Sequence, residues 1–449
     1  MTDRASLPLL LRLGLLAVAL AAYAGIVFVR QGPPATGDTP PLTAVTTRLS
    51  EGDLHGAAAV VTLPDPPGYA LLASPFVALF RPFIGAARWC TTASRVAASA
   101  HGVPRDARAL FAEEQGQCGR RALRRDGQLG APLPPWYHAQ GVLGILAWLV
   151  LVAGAVALLR AAGALCWTAE VALVVFLVIL PSASSAIVQL FHPQDLLSLG
   201  LSASGLALLL RRRAAGAGVL LGLAFLTKQF AVLILVPAAV AAPDRRIRVR
   251  LLVPAAAVTV AGLLPFLAAD PRTTLQNLSG IGAAGAVSGT TVLSLLHASP
   301  DLTSAVARDV PVVFALAASW WARRRLGGSP FPPVALLGLV LACLASRLVF
   351  ESVIFPYYLL AASVAFLVLD LVRGEVPDRS LAWIAASAAF VVLHPANTVL
   401  DAGGTLVLAA TAVICGLTDV AGAARHRTRW AGAELPPAVD GTAAATTRE

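Results

Sequence analysis

The side chains in this sequence that are candidates for chemistry fall in five stretches. Asp38 stands between Gly37 and Thr39, about nine residues beyond the first long apolar segment. A carboxylate at that position on a membrane surface could take a proton from a hydroxyl group. It reads also as a solvated turn acid, and the residues alone favour the turn. Asp53, in the run Glu51-Gly52-Asp53, has the pattern of an ordinary turn, and Asp65 before two prolines that of a structural residue. Lys228 is the only lysine among 34 Lys and Arg side chains. An ammonium there could hold a phosphate as a compact point charge, or snorkel to an interface. Charge between apolar segments is rare enough to favour function.

His192 and Asp195 are three apart, so they could share a helix face and bind a metal or a sugar. Pro193 at a helix start with an acid in the first turn is ordinary N-terminal chemistry, and capping is the preferred reading of Asp195. Arg347 and Glu351, four apart, could meet substrate or pair with each other. Tyr357 and Tyr358, after Pro356, suit stacking on a sugar ring or anchoring at a membrane interface. Glu170, inside an apolar stretch, is expected to face a bundle interior.

The elements that must position these residues are membrane helices. Of 449 residues 57% are hydrophobic and 13% charged, and the mean hydropathy is +0.76, which leaves too little polar surface to solvate a globule of this length. Apolar stretches long enough to span a bilayer recur at 9–29, 139–160, 163–181, 249–269, 306–322, 331–349, 353–372, 380–397 and 401–419. Segments 69–80, 83–100, 195–210 and 214–242 are shorter, more polar or of awkward length. The first stretch is long for a signal peptide and reads as an uncleaved helix. The net charge of +10 resides in arginine clusters beside the spans, so it reads as a topology signal rather than a nucleic-acid footprint. Among the five cysteines, Cys166, Cys343 and Cys415 lie in or beside spans and Cys90 and Cys118 flank a polar loop; no pair has zinc-ligand spacing.

Arginine clusters mark cytoplasmic loops, which places Arg4 and Arg12, Arg211 to Arg213, Arg245 to Arg250, Arg323 to Arg325, Arg373 with Arg379, and Arg425 to Arg429 inside. Both flanks of 214–242 then claim the inside, so this interval must enter and leave the membrane with Lys228 at the outer turn. Arms of about 14 residues reach about 21 Å, short of the roughly 30 Å core, which predicts a short or re-entrant hairpin. Residues 81–137 carry nine arginines and fit neither side cleanly. No Walker loop occurs and no polar stretch shows alternating strand and helix patterns, and the tail from 420 reads as disordered and cytoplasmic.

The order of features in the first half resembles a known class. An acid after the first helix (Asp38), an amphipathic stretch at 42–50, Asp65-Pro66-Pro67-Gly68-Tyr69 leading into a second apolar segment, Phe191-His192-Pro193-Gln194-Asp195, and Gly218 to Gln229 ending in Thr-Lys-Gln are similar to the GT-C membrane glycosyltransferases. The likeness is greatest to glycosyltransferase family 87 and the polyprenyl-phosphate-mannose-dependent mannosyltransferases, and it covers about residues 9–270. The sequence departs from the O-mannosyltransferase pattern in lacking a second acid beside Asp38 and in carrying residues 91–137.

The resemblance implies an all-α, polytopic transmembrane bundle of about twelve helices, with a catalytic module over 1–270 that includes an outer loop at 30–68, further helices over 271–419, and the tail 420–449. It implies a cell-membrane enzyme that moves a sugar, mannose being the family's example, from a polyprenyl-phosphate donor to a glycan, glycolipid or protein acceptor outside the cytoplasm. Asp38 would be the base, with Lys228 and Arg347 on phosphate, and His192, Asp195, Tyr357 and Tyr358 at the substrates. No cofactor is expected, a divalent metal is left open, and the partners are lipid and substrate rather than nucleic acid. The rival readings are a transporter or lipid flippase, for which internal repeats would be expected and none is seen, and a GT-C scaffold without catalysis.

Overall fold

The computed structural model describes residues 9–29, 45–46, 48–58, 66–79, 135–164, 166–188, 192–278, 292–295, 300–327, 330–351, 356–374, 377–393 and 398–425. Among these the regular structure is entirely helical. Among the described residues eight helices are long and apolar enough to cross a membrane, and a ninth crossing can be drawn through a helix pair bent by 43°. The chain is a multi-pass, all-α membrane protein.

The first half comprises α1 (Leu9–Val29), the short α2 (Leu54–Ala58), α3 (Gly68–Leu79), α4 (Pro135–Ala161), the bent pair α5 (Trp167–Ile179) and α6 (Pro181–Val188), and α7 (Pro193–Leu210). α8 (Ala214–Thr227) and α9 (Val232–Ala241), joined by a 3-10 turn (Gln229–Ala231), form the expected short hairpin. At 14 and 10 residues neither arm is long enough to span alone. α10 (Arg245–Ala269), α11 (Pro271–Leu278) and α12 (Val292–Leu295) lead to α13 (Pro300–Arg325) and α14 (Pro333–Phe350). A 3-10 turn (Pro356–Tyr358) opens α15 (Leu359–Arg373), and α16 (Asp378–Leu393) and α17 (Thr398–Arg425) complete the bundle.

Two expectations are corrected. The stretch 163–181 is not one straight span: α5 stops at Ile179, and Pro181 starts α6 at a new angle, because proline cannot continue the hydrogen-bond ladder of the preceding turn. The stretch 195–210, expected to be marginal, is a full 18-residue helix with a largely buried surface. Its polar Gln194, Asp195, Ser198 and Ser202 face protein rather than lipid, which is why hydropathy undervalued it.

Lipid tails are as apolar as leucine, so helices in a bilayer associate through close packing of small residues. The three most extensive seams, α4 with α7, α14 with α17 and α8 with α10, each carry glycine. Gly154 and Gly200 face one another's helices, as do Gly338 and Gly416, and Gly218 and Gly222 lie on the backbone at Leu251 and Ala255. A β-carbon on any of these would meet main-chain atoms of the neighbouring helix. α1 and α10 are peripheral and present Leu10, Leu11, Val253 and Val260 outward.

Arginines gather at one end of the bundle. Arg160 pairs with Glu170, Arg323 donates to the Ala242 and Pro243 carbonyls between α9 and α10, and Arg373 and Arg379 bind Asp419, Arg379 also binding Asp370. Arg211 to Arg213 form the tight α7–α8 connection at this same end. Residues 81–134, whose sidedness the sequence left open, and Cys90 and Cys118 lie outside the described residues.

Candidate functional site

The start of α7 and the finish of α8 meet at the end of the bundle opposite the arginines. His192 precedes α7 and donates its backbone N–H to the Ala186 carbonyl on α6. Pro193 sets the first helical position, which leaves Gln194 and Asp195 in the first turn and fully enclosed by protein. Ser198 donates to the Ala224 carbonyl at 2.9 Å and so ties α7 to α8 one turn before Lys228. Lys228 itself leaves the helix: its backbone is extended (φ −156°, ψ 131°), and its carbonyl accepts from Ala231 to open the 3-10 turn. This conformation brings Lys228 Nζ to 3.8 Å from Asp195 Oδ2, with both side chains buried.

From Asp195 a chain of contacts runs round to the same hairpin. Asp195 Oδ2 lies 3.4 Å from His192 Nδ1, and Gln194 Nε2 lies 3.0 Å from that same nitrogen. The His192 ring stacks on Tyr357, with centroids 3.9 Å apart and planes 21° from parallel. Tyr357 meets Tyr358 edge to face at 4.6 Å. The Arg347 guanidinium lies 4.7 Å from the Tyr358 ring centre and 5.6 Å from that of Phe230, two residues after Lys228. Arg347 Nε binds Glu351 Oε2 at 2.5 Å across one turn at the α14 terminus.

The structure thus joins His192, Asp195, Lys228, Arg347, Tyr357 and Tyr358 into one ring of side chains. Arg347 and Glu351 do pair with one another, and they do so inside the ring. Asp195 does occupy a first helical turn, where the helix dipole favours an acid. No side chain caps the α7 start, however, and Oδ2 is buried without a hydrogen-bond partner among the described residues. Its surroundings are Lys228 and His192 rather than backbone N–H groups. Tyr357 is buried against His192, which is not the placement of a lipid-facing anchor.

Gln194 and Phe230 complete the ring and had not been singled out. Both flank a chosen residue directly or at one remove, in His-Pro-Gln-Asp and Lys-Gln-Phe, and that adjacency was the available signal. Asp53 Oδ1 accepts from Gly56 N at 2.9 Å, which is the ordinary turn-and-cap role expected of it. Glu170 does face protein, and it is at the arginine end, remote from the ring. Asp38 and Asp65 lie outside the described residues.

The flanking pieces of the first loop lie at the ring's end of the bundle. Gly68, opening α3, sits against the Leu226 backbone, two residues before Lys228. His55 Nδ1 is 3.4 Å from the Ala269 carbonyl at the far end of α10. No group of three or more His, Cys, Asp or Glu side chains with metal-ligating geometry occurs among the described residues. Chemically, the ring offers two cations of fixed position, each beside a carboxylate, and aromatic faces between them. No family model, no curated protein and no solved structure matches this chain.

Proposed function

We propose that the chain is an inverting GT-C-type glycosyltransferase of the cell membrane, which moves one sugar, with mannose the expected unit, from a polyprenyl phosphate to an extracytoplasmic acceptor. The observation that carries this reading is that the two cations, Lys228 and Arg347, converge with Tyr357, Tyr358 and His192 at the end of the bundle opposite the arginine clusters. Arginine-rich ends face the cytoplasm, so this pair faces the side where a flipped lipid carrier is available and nucleotide sugars are not.

In the proposed reaction the acceptor oxygen forms a bond to the anomeric carbon as the bond from that carbon to the phosphate oxygen breaks. The electron pair leaves on the polyprenyl phosphate, and the acceptor proton passes to Asp38. Negative charge grows on the phosphate during this step, and fixed cations in a poorly hydrated site stabilise it more than they would in water. Asp195 and Glu351 balance Lys228 and Arg347 when no anion is bound, which lowers the cost of keeping two buried cations. Tyr358, less deeply buried than Tyr357, offers ring surface to a sugar.

The purified protein, supplied with polyprenyl-phosphate mannose and a panel of glycan, glycolipid and peptide acceptors, should transfer sugar without added nucleotide. The same preparation given only nucleotide sugar should be inactive. Transfer from nucleotide sugar with carrier lipid excluded overturns the reading, and so does transmembrane flux of a solute with no transfer from either donor.

A further inference from the structure

At the arginine end of the bundle, remote from the ring around Lys228, α1, α4 and α5 border a cavity of about 430 Å³. Arg12, Arg160, Arg211 and Glu170 line it, and the rest of its wall is aliphatic. Glu170 is committed to Arg160 through two bonds, Nε to Oε1 at 2.7 Å and Nη2 to Oε2 at 2.8 Å. Arg12 Nε stands 3.7 Å from Glu170 Oε2, beyond hydrogen-bond reach, and is buried with no hydrogen-bond partner among the described residues. Arg211, from the α7–α8 connection, adds a third guanidinium. Three guanidinium groups against one carboxylate leave an excess of two positive charges.

The aliphatic wall runs down α4 from Arg160 through Ala157 and Ala153 to Leu149. Those eleven helical steps cover about 16 Å at 1.5 Å per residue, which is about half of the roughly 30 Å hydrocarbon core. A space one leaflet deep, with cations at one end and alkyl side chains along its length, has the proportions of a lipid molecule. The alanines supply room, because larger side chains at 153 and 157 would fill the space beside Leu16 of α1. Basic pockets between membrane helices on the cytoplasmic side are suited to anionic headgroups.

We propose that this cavity binds one anionic phospholipid of the cytoplasmic leaflet, its phosphate held by Arg12 and Arg211 and one acyl chain lying along α4 between Ala157 and Leu149. The inference does not depend on the glycosyltransferase reading, since the two sites occupy opposite ends of the bundle.

Native mass spectrometry of the delipidated full-length protein, titrated with phosphatidylglycerol and with zwitterionic phosphatidylethanolamine, tests it. A single phosphatidylglycerol adduct should form at concentrations where phosphatidylethanolamine adds about tenfold less. A basic side chain near a membrane surface contributes about 1 kcal/mol toward an anionic lipid, so Arg12→Gln/Arg211→Gln should weaken the adduct about 30-fold. Ala153→Phe keeps every charge and should also weaken it, because the chain loses its place. Unchanged binding in either variant, or equal binding of the two lipids, overturns the proposal. So does full competition by the water-soluble headgroup glycerophosphoglycerol, which would identify a free-anion site instead.

Discussion

Lys228 and Asp195 form a buried ion pair, Nζ to Oδ2 at 3.8 Å, that links the C-terminal end of α8 to the first turn of α7. The separation is too long for a strong hydrogen bond, and Asp195 Oδ2 has no hydrogen-bond partner among the described residues. The pair is held by charge rather than by directional bonding.

Removing one member of a buried pair leaves the other charge uncompensated, at a cost of about 3–5 kcal/mol, whereas replacing both by apolar residues is far milder. Lys228→Met should therefore lower the unfolding midpoint of the purified protein clearly. Lys228→Met/Asp195→Leu should recover most of that loss while remaining inactive in sugar transfer. Thermal melting followed by tryptophan fluorescence, beside the transfer assay, separates the two effects. If the double variant regains transfer, Lys228 does not hold the phosphate.

The seams between helices make a second prediction. A β-carbon at Gly200 would stand 2.5 Å from the Val150 carbonyl carbon, and one at Gly222 would stand 2.6 Å from the Ala255 carbonyl oxygen. Neither neighbour is a flexible side chain, so the helices must separate. Gly200→Val and Gly222→Val should each destabilise by about 1–3 kcal/mol or more. Gly25, with nothing within 4 Å of the same position, serves as the control. Gly25→Ala should be neutral or slightly stabilising, because alanine favours a helix over glycine by about 1 kcal/mol. Equal melting shifts at all three sites would contradict the close-packed seams.

How much was legible in the sequence depended on whether a local pattern or a tertiary contact decided the matter. The α8–α9 hairpin could be read because Arg211 to Arg213 and Arg245 to Arg250 bracket an interval too short for two full crossings. The kink between α5 and α6 was legible in principle at Pro181, but a window of mean hydropathy averages across a proline. The ring was legible only as a set of single residues. His192 and Tyr357, or Lys228 and Asp195, are brought together by helices that cross the bundle, and no spacing along the chain encodes those contacts. Gln194 was passed over for a related reason: a glutamine in a helix's first turn looks solvated until burial places it against His192 Nδ1. Asp195 read as a cap from local chemistry, and the family resemblance rather than its spacing set it at the substrates.

Sidedness can be tested without disturbing the ion pair. Gln229 follows Lys228 in the 3-10 turn and is only part-buried, so Gln229→Cys reports on the hairpin tip. In a background where the native cysteines are replaced, an impermeant maleimide should label this cysteine in intact cells or right-side-out vesicles, and weakly or not at all in inverted ones. A cysteine at Arg325, in the α13 cluster, should show the opposite pattern. Labelling of position 229 from the cytoplasmic face alone would place the ring where nucleotide sugars are present, and the lipid-linked donor would lose its chief support.

The last prediction concerns Asp38, which lies outside the described residues and whose assignment as base rests on its position after the first helix and on the family resemblance. Lys228 and Asp38 have different tasks in the proposed reaction, so their variants should fail differently. Asp38→Asn preserves size and hydrogen bonding but cannot accept the acceptor's proton, and loss of a general base costs on the order of 10² to 10⁴ in rate. This variant should insert, melt and bind polyprenyl-phosphate sugar as the native protein does, with turnover reduced by that factor. Its KM for the donor should change little. Lys228→Ala removes a cation that meets both the bound phosphate and the departing one, so it should raise the donor KM and lower turnover together. Stability separates the variants further, because Lys228→Ala leaves Asp195 buried without its cation while Asp38→Asn leaves the ring intact. Near-native turnover in Asp38→Asn removes Asp38 as the base but leaves the phosphate-holding role of Lys228 standing. Native donor KM and turnover in Lys228→Ala remove the phosphate site and, with it, the observation on which the glycosyltransferase reading rests.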